Sequence, residues 1–441
     1  MKITPLYRSR ILYASLILSI TTLACALLNQ PLTIDQPLTP QSKSNGLIAY
    51  LGVDGNLYTI DEHGENRTAI TDDARKIESN DEMLRIYSHP TWSFDGRHLA
   101  FVSVESQDLQ ITSRLLVADP MRAENSEVFE SNTEFPFYLY WAPDNERISF
   151  LSNATIPNGL TFRLAYLNGD ESQILDQGQP YYWVWAPDGS EIFIHQGGSS
   201  SSNPDARLGT LSPSSLETRD ISLSPGHFQA PGWSPDGKYL LAAIENESRG
   251  ELIQLNKEGD LLQKLADYEA TIAFNWSPDG EQIAYLATSA ASSGRVGKLA
   301  VISTGNADIL HRAPEDTVIA YFWAPDSQSV AYFSVQLPGR DQDEISTRSQ
   351  DVLWLDLKIL NITTGETHRL STFQLGSEFL STLTFFDQYH HSATIWSPDS
   401  AKLVYATDNP DGVASIWVVD ADGESQALRI AEGTLAFWSW K

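Results

Sequence analysis

Beyond Gly46 the chain alternates short apolar runs with polar breaks, and almost no run reaches helical length. "RHLAFVS" from Arg97, "EQIAYLA" from Glu281 and "KLAVIS" from Lys298 are typical. Each has four to seven residues rich in β-branched and aromatic side chains and is bounded by Gly, Asp, Asn or Pro. Runs of that length and composition predict strands. They come in a fixed order: an apolar run ending in Trp, a tight turn, an "IAYLA"-like run, a third run, and a weaker fourth such as Ile309-Leu310-His311.

The turn is the clearest repeat. Trp233-Ser-Pro-Asp236-Gly and Trp276-Ser-Pro-Asp279-Gly are identical, and variants start at Trp92, Trp141, Trp185, Trp323 and Trp396, with Asp95, Asp144, Asp188, Asp326 and Asp399 three residues on. Spacings run from 43 to 49 residues, with one of 73 before Trp396. A further Trp, Trp438 in "FWSW", opens a unit whose remainder matches "GLIAYLGVDGNLYTID" at Gly46–Asp61. Four strands per unit at this period predict an all-β, eight-bladed β-propeller of four-stranded antiparallel blades, closed by pairing of the C-terminal strand with the N-terminal blade. Pro presets φ for a type I turn, Asp accepts the turn's own amides, and a left-handed residue follows. Asn145 suits that position almost as well as Gly, Ser327 and Ser400 less well. An Asp present in every unit reads as structural, and the eight Trp rings read as packing between blades.

With these residues in view, the repeat resembles the TolB-type, WD-repeat-like β-propeller over roughly Gly46 to Trp440, a family with periplasmic and cell-surface members. It is also similar to the propeller that precedes the catalytic domain of prolyl oligopeptidases, but no G-x-S-x-G nucleophile elbow occurs.

The N-terminus changes the setting. Lys2, Arg8 and Arg10 precede "ILYASLILSITTLAC", a charged region followed by an apolar run, as in a secretory signal. Cys25, the chain's single cysteine, stands where the run ends and resembles the lipidated Cys of bacterial lipoproteins, with Ala24 in the preceding position. An uncleaved anchor over 11–28 and plain cleavage are the alternatives, and all three place the propeller outside the cytoplasm. The expected organisation is signal peptide 1–24, tether 25–45 and propeller 46–441. With Cys25 acylated, the folded part has no thiol, so disulfides and Cys-ligated metals are excluded from its stability.

Charge then narrows the partners. Lys and Arg number 29 against 57 Asp and Glu, a net charge of −28. Such a surface repels phosphate backbones and anionic headgroups, so nucleic acid is not an expected partner.

Departures from the repeat are where function is expected, since loops on a rigid scaffold carry most binding chemistry. Thr71–Pro90 and Phe373–Ser392 both connect one blade to the next, hence on the same face, and "LPGRDQDEISTRSQD" extends a hairpin of the seventh blade. Phe379, Leu380, Leu383 and Phe386 fit one face of a short helix. Phe385, Phe386 and Tyr389 are expected to form an apolar contact patch, bordered by acidic residues including Asp73, Glu78, Asp81 and Glu82. His89, His227, His390 and His391 precede motif Trp residues and are expected near the channel. They loosely resemble the metal-binding channel histidines of some TolB-like polysaccharide lyases, but His227 lies opposite the others, and neighbouring His390 and His391 would point to opposite faces of a strand. The binding residues expected are therefore Phe385, Phe386, Tyr389, His391, His89, Asp81 and Glu82, with no catalytic residue, metal or cofactor. The expected protein is a monomeric, non-enzymatic binding scaffold tethered in the cell envelope, with a protein or glycan partner. The alternative is a secreted carbohydrate-active lyase or hydrolase with its site at the channel mouth.

Overall fold

The computed structural model describes residues 46–75, 83–108, 110–122, 124–153, 159–227, 229–246, 249–289, 291, 296–336, 353–408 and 412–441. The signal and tether, Cys25, Glu78, Asp81, Glu82 and the 337–351 hairpin lie outside them.

The fold is an all-β propeller of four-stranded antiparallel sheets. A representative unit runs Phe135–Trp141, Arg147–Asn153, Leu160–Tyr166 and Gln173–Gly178, each strand pairing only with its neighbours in sequence. Six hydrogen-bonded sheets result, and two of them carry a second unit. One joins two neighbouring units through the pair Gly297↔Val318. The other is the closure: Leu428–Trp438 first pairs with Ala414–Asp420 and then, in its second half, with Ile48–Gly52 in the register Ile48↔Trp438. The chain's last strand thus completes its first unit, and the pairings fit the eight units read from the repeat. Hydrogen-bonding the two ends together leaves no open edge where the ring meets itself.

The motif turns explain themselves locally. Ser277 Oγ donates to Asp279 Oδ1 at 2.5 Å, and Asp279 Oδ1 also accepts the Glu281 amide at 3.0 Å. The same hydroxyl-to-carboxylate bond recurs from Ser93, Ser234 and Ser397 to Asp95, Asp236 and Asp399. These bonds favour the ionised carboxyl, and together with nearby charges they outweigh burial in holding Asp95 below its usual pKa. The fifth motif residue is left-handed, with φ of 59° at Asn145 and 63° at Ser327 and Ser400. Those side chains gain something glycine lacks. The amides of Asp95, Asp279 and Asp326 donate to Asn145 Oδ1, Ser327 Oγ and Ser400 Oγ, each in the following unit. A strained position is offset by an inter-blade hydrogen bond.

All eight Trp rings are buried, none above 8% exposed. Trp92, Trp141 and Trp396 donate their indole N–H to the carbonyls of Phe437, Thr91 and Phe322, in each case the residue just before the preceding unit's Trp. Trp185 reaches the equivalent carbonyl, Tyr140, through Ser149 Oγ. The indole nitrogens of Trp233, Trp276, Trp323 and Trp438 have no protein partner.

Candidate functional site

The long connection after Thr367–Gln374 folds as two short helices, Ser377–Thr384 and Phe386–Tyr389. Phe379 and Leu383 bury the inward face of the first, while Leu380 stays 38% exposed. An edge-on contact of Phe379 with Phe333 at 5.7 Å holds this helix to its own unit. The second helix crosses the channel. Phe386 packs edge-on against Tyr321 at 5.1 Å, and Tyr389 against Tyr138 at 5.3 Å. Tyr138 Oη donates to the Gln388 carbonyl at 2.7 Å, and the Ala230 amide donates to Asp387 Oδ2 at 3.1 Å. These partners stand just before the motif Trp in three different units, so the segment plugs the channel where the inner strands begin.

The plug corrects the expected contact patch. Phe386 is 5% exposed and belongs to the core, and Tyr389 packs onto another core cluster. Only Phe385, 49% exposed, remains on the surface. The reason is the break at Phe385 between the two helices: Thr382 and Leu383 are buried on the first and Phe386 on the second, which a run of aromatics in sequence does not reveal. The Thr71–Pro90 connection is shorter than it reads, because Met83–Trp92 is one ten-residue strand. There Tyr87 Oη donates to Asp73 Oδ1, and Arg85 pairs with Asp73 and Glu105.

The histidines also settle differently. His227 is exposed, 4.0 Å from Glu245, and is not among the residues of the channel cavity described below. His89 is half-buried at a bulge with φ 56°, its Nδ1 2.9 Å from Ser88 Oγ, and burial pushes its pKa down to about 4. His390 and His391 sit in the turn after the second helix rather than in a strand, so their rings lie together, 3.9 Å between centroids, instead of on opposite faces. His391 stacks on Tyr140 at 5.9 Å. Burial lowers both pKa values, that of His390 to about 4, so both rings are neutral at neutral pH.

Below these histidines, on the side of the motif turns, lies a cavity of 570 Å³. His390 and His391 line it together with Trp185, Trp233, Trp276, Trp323, Trp396 and Trp440, and with the motif prolines from Pro143 to Pro398. Its size is that of a small-molecule pocket. No Asp, Glu, Lys or Arg is among the described lining residues, so the paired carboxylates of glycoside hydrolysis have no seat in it. Among the described residues no group of three His, Cys, Asp or Glu is arranged to hold a metal ion. In the plug, burial raises the carboxyl of Asp387 to about 6. The reading of the loops pointed to the opposite face. The available signal was the repeat itself, since a Trp-x-Pro turn in every unit brings a ring of indoles and prolines to one end of the channel.

No family model and no curated protein matches the chain. Among solved structures it is similar to dihydro-heme d1 dehydrogenase NirN in complex with DHE, at 14% identity and a TM-score of 0.53, covering 91% of this chain and 77% of that one. It is also similar to oligogalacturonate lyase from Vibrio parahaemolyticus, at 14% identity and a TM-score of 0.50, covering 85% and 97%. TolB from Acinetobacter baumannii aligns at 14% identity and a TM-score of 0.40, over 83% and 87%. At such identities the two higher-scoring likenesses show the propeller fold alone.

Proposed function

We propose that this protein is an extracytoplasmic, membrane-tethered binding propeller that holds a ligand, without chemistry, in the cavity on the motif-turn side. One observation carries the reading: the channel is plugged at one end and, at the other, opens into a 570 Å³ aromatic-lined space with no ionisable acid or strong base among its described lining. Rigid indoles set in a closed ring supply contact area at little entropic cost, as binding sites favour. The extracytoplasmic setting rests on the signal-like stretch before Cys25. No described helix is long and apolar enough to cross a membrane.

Native mass spectrometry after incubation with an envelope extract tests the site. A retained mass is expected on the wild type and not on Ala393→Trp, which fills the cavity from its lining. Equal retention by both, or none by either, overturns the reading. For attachment, Cys25→Ser is expected to move the protein to the soluble fraction, and a variant that stays membrane-bound points to an uncleaved anchor.

A further inference from the structure

The cavity wall offers a ligand ring faces rather than side-chain hydrogen bonds. The Nε2 atoms of His390 and His391, Asn275 Oδ1 and four of the indole nitrogens have no protein partner, but all are sealed, and a ligand cannot reach them. Other polar atoms of the lining are already engaged: Trp185 Nε1 donates to Ser149 Oγ, Trp396 Nε1 to the Phe322 carbonyl and Ser277 Oγ to Asp279. What the side chains present is mainly carbon, from six indoles and six motif prolines with Phe94, Tyr140 and Phe322.

Charge surrounds this wall without entering it. A motif Asp follows each of those prolines, from Asp144 to Asp399, and Asp95 makes seven. Arg97, Arg147 and Lys238 pair with Asp95, Asp144 and Asp236, and Lys257 and Lys402 act on Asp188 and Asp399, so acid exceeds base at the turns by seven to five. The whole chain adds a net charge of −28. No positive charge stands in the wall itself, because burial keeps His390 and His391 neutral. One lining indole already meets a cation, since the Arg147 guanidinium lies 5.1 Å from the centre of the Trp185 ring.

Each ligand class meets this setting differently. An anion enters an unfavourable field. A sugar or a primary ammonium brings O–H or N–H groups that the sealed side chains cannot accept, each at a desolvation cost. A hydrocarbon suits the wall but gains nothing from the field. A quaternary ammonium has no N–H to satisfy and spreads its charge over C–H groups, and both the indole faces and the surrounding carboxylates attract it.

We propose that the cavity takes an organic cation without N–H groups, a quaternary ammonium bearing an aromatic or alkyl arm. The assignment rests on the binding reading above and adds the ligand's chemical class.

The test is titration calorimetry of the full chain with matched probes, benzyltrimethylammonium against benzylammonium and choline against dimethylbutanol, its uncharged isostere. At least one quaternary cation is expected to bind, about tenfold or more tighter than its matched probe, and to weaken as salt is raised. Ala393→Trp, which fills the cavity, is expected to abolish binding. Trp440→Leu removes one ring face while keeping an apolar side chain and is expected to weaken the cation about threefold or more; thermal melts verify that both variants fold. A matched probe that binds as tightly as its cation, or a cation unaffected by Trp440→Leu, overturns the class. If no quaternary cation binds, the class also falls, while a cavity-dependent mass from envelope extract still upholds the site. A cation held by Ala393→Trp as tightly as by wild type is seated elsewhere, and the assignment falls.

Discussion

Trp396→Phe and Trp276→Phe make a matched pair, because the two side chains occupy the same place in the repeat and are buried to 1% and 7% exposure. Each substitution removes the same part of an indole from a packed inter-blade contact, so the packing losses largely cancel in the difference. The hydrogen bonding does not cancel. Trp396 Nε1 donates to the Phe322 carbonyl at 3.0 Å, whereas Trp276 Nε1 has no protein partner. Losing a made bond costs about 0.5 to 1.5 kcal/mol, and removing a buried, unpaired N–H recovers part of its desolvation cost of about 1 to 3 kcal/mol. Trp396→Phe is therefore expected to be the more destabilising by about 1 to 3 kcal/mol. Urea unfolding followed by near-UV and far-UV circular dichroism measures the gap, with coincident transitions licensing a single free energy. Equal losses, or a larger loss at Trp276, would refute the view that the indole bond between neighbouring units differs around the ring.

Within the plug, Phe386→Ala is expected to cost about 3 to 5 kcal/mol as a core truncation, and Phe385→Ala, at an exposed site, about 0.5 kcal/mol or less; a silent Phe386→Ala in a thermal melt would remove the plug from the core. Asp387 has its folded pKa raised from 3.8 to about 6, so its burial favours the protonated form and stability falls as pH rises between those values. Asp387→Asn removes that loss and is expected to gain about 2 kcal/mol relative to wild type between pH 4 and pH 7, from about 1.4 kcal/mol per unit discounted for partial exposure; parallel stability curves for the two proteins would contradict it. His390 and His89 act with the opposite sign, their lowered pKa values withdrawing stability as pH falls from 6.5 towards about 4. Deleting residues 432–441 removes the strand half that pairs with Ile48–Gly52 and is expected to cause aggregation or a large loss of stability. A truncated chain melting within about 2 °C of the intact one, a loss of no more than about 2 kcal/mol in a ring of this size, would exclude the closure.

Much of the architecture was legible because it is written by period. A Trp, a Pro and an Asp at fixed offsets specify a turn, and repetition of that turn with four short strands specifies sheets that must pack on their neighbours. Even the closure could be read, since Trp438 opens a unit and Gly46–Asp61 finishes one. The loops carry no period, and reading them by local pattern had mixed success. Phe379, Leu380, Leu383 and Phe386 were expected on one helical face; the first three do share a helix, but Leu380 points outward and Phe386 opens a second helix. Phe386 and Tyr389 were expected on the surface and are held inside, because the channel offered them Tyr321 and Tyr138, residues more than sixty and more than two hundred positions away in sequence.

The sequence by itself determined the strand order, the turn chemistry and the ring, because these depend on contacts within one repeat and on the identity of successive repeats. The tertiary structure alone decided where a ligand has room. His390 and His391 come together because the plug's last turn is not a strand. The protonated nitrogen of His390 is chosen by the Phe386 carbonyl. Burial beneath the plug keeps both rings neutral. The cavity is a void between several units and a loop from one of them, and no stretch of chain encodes a void locally.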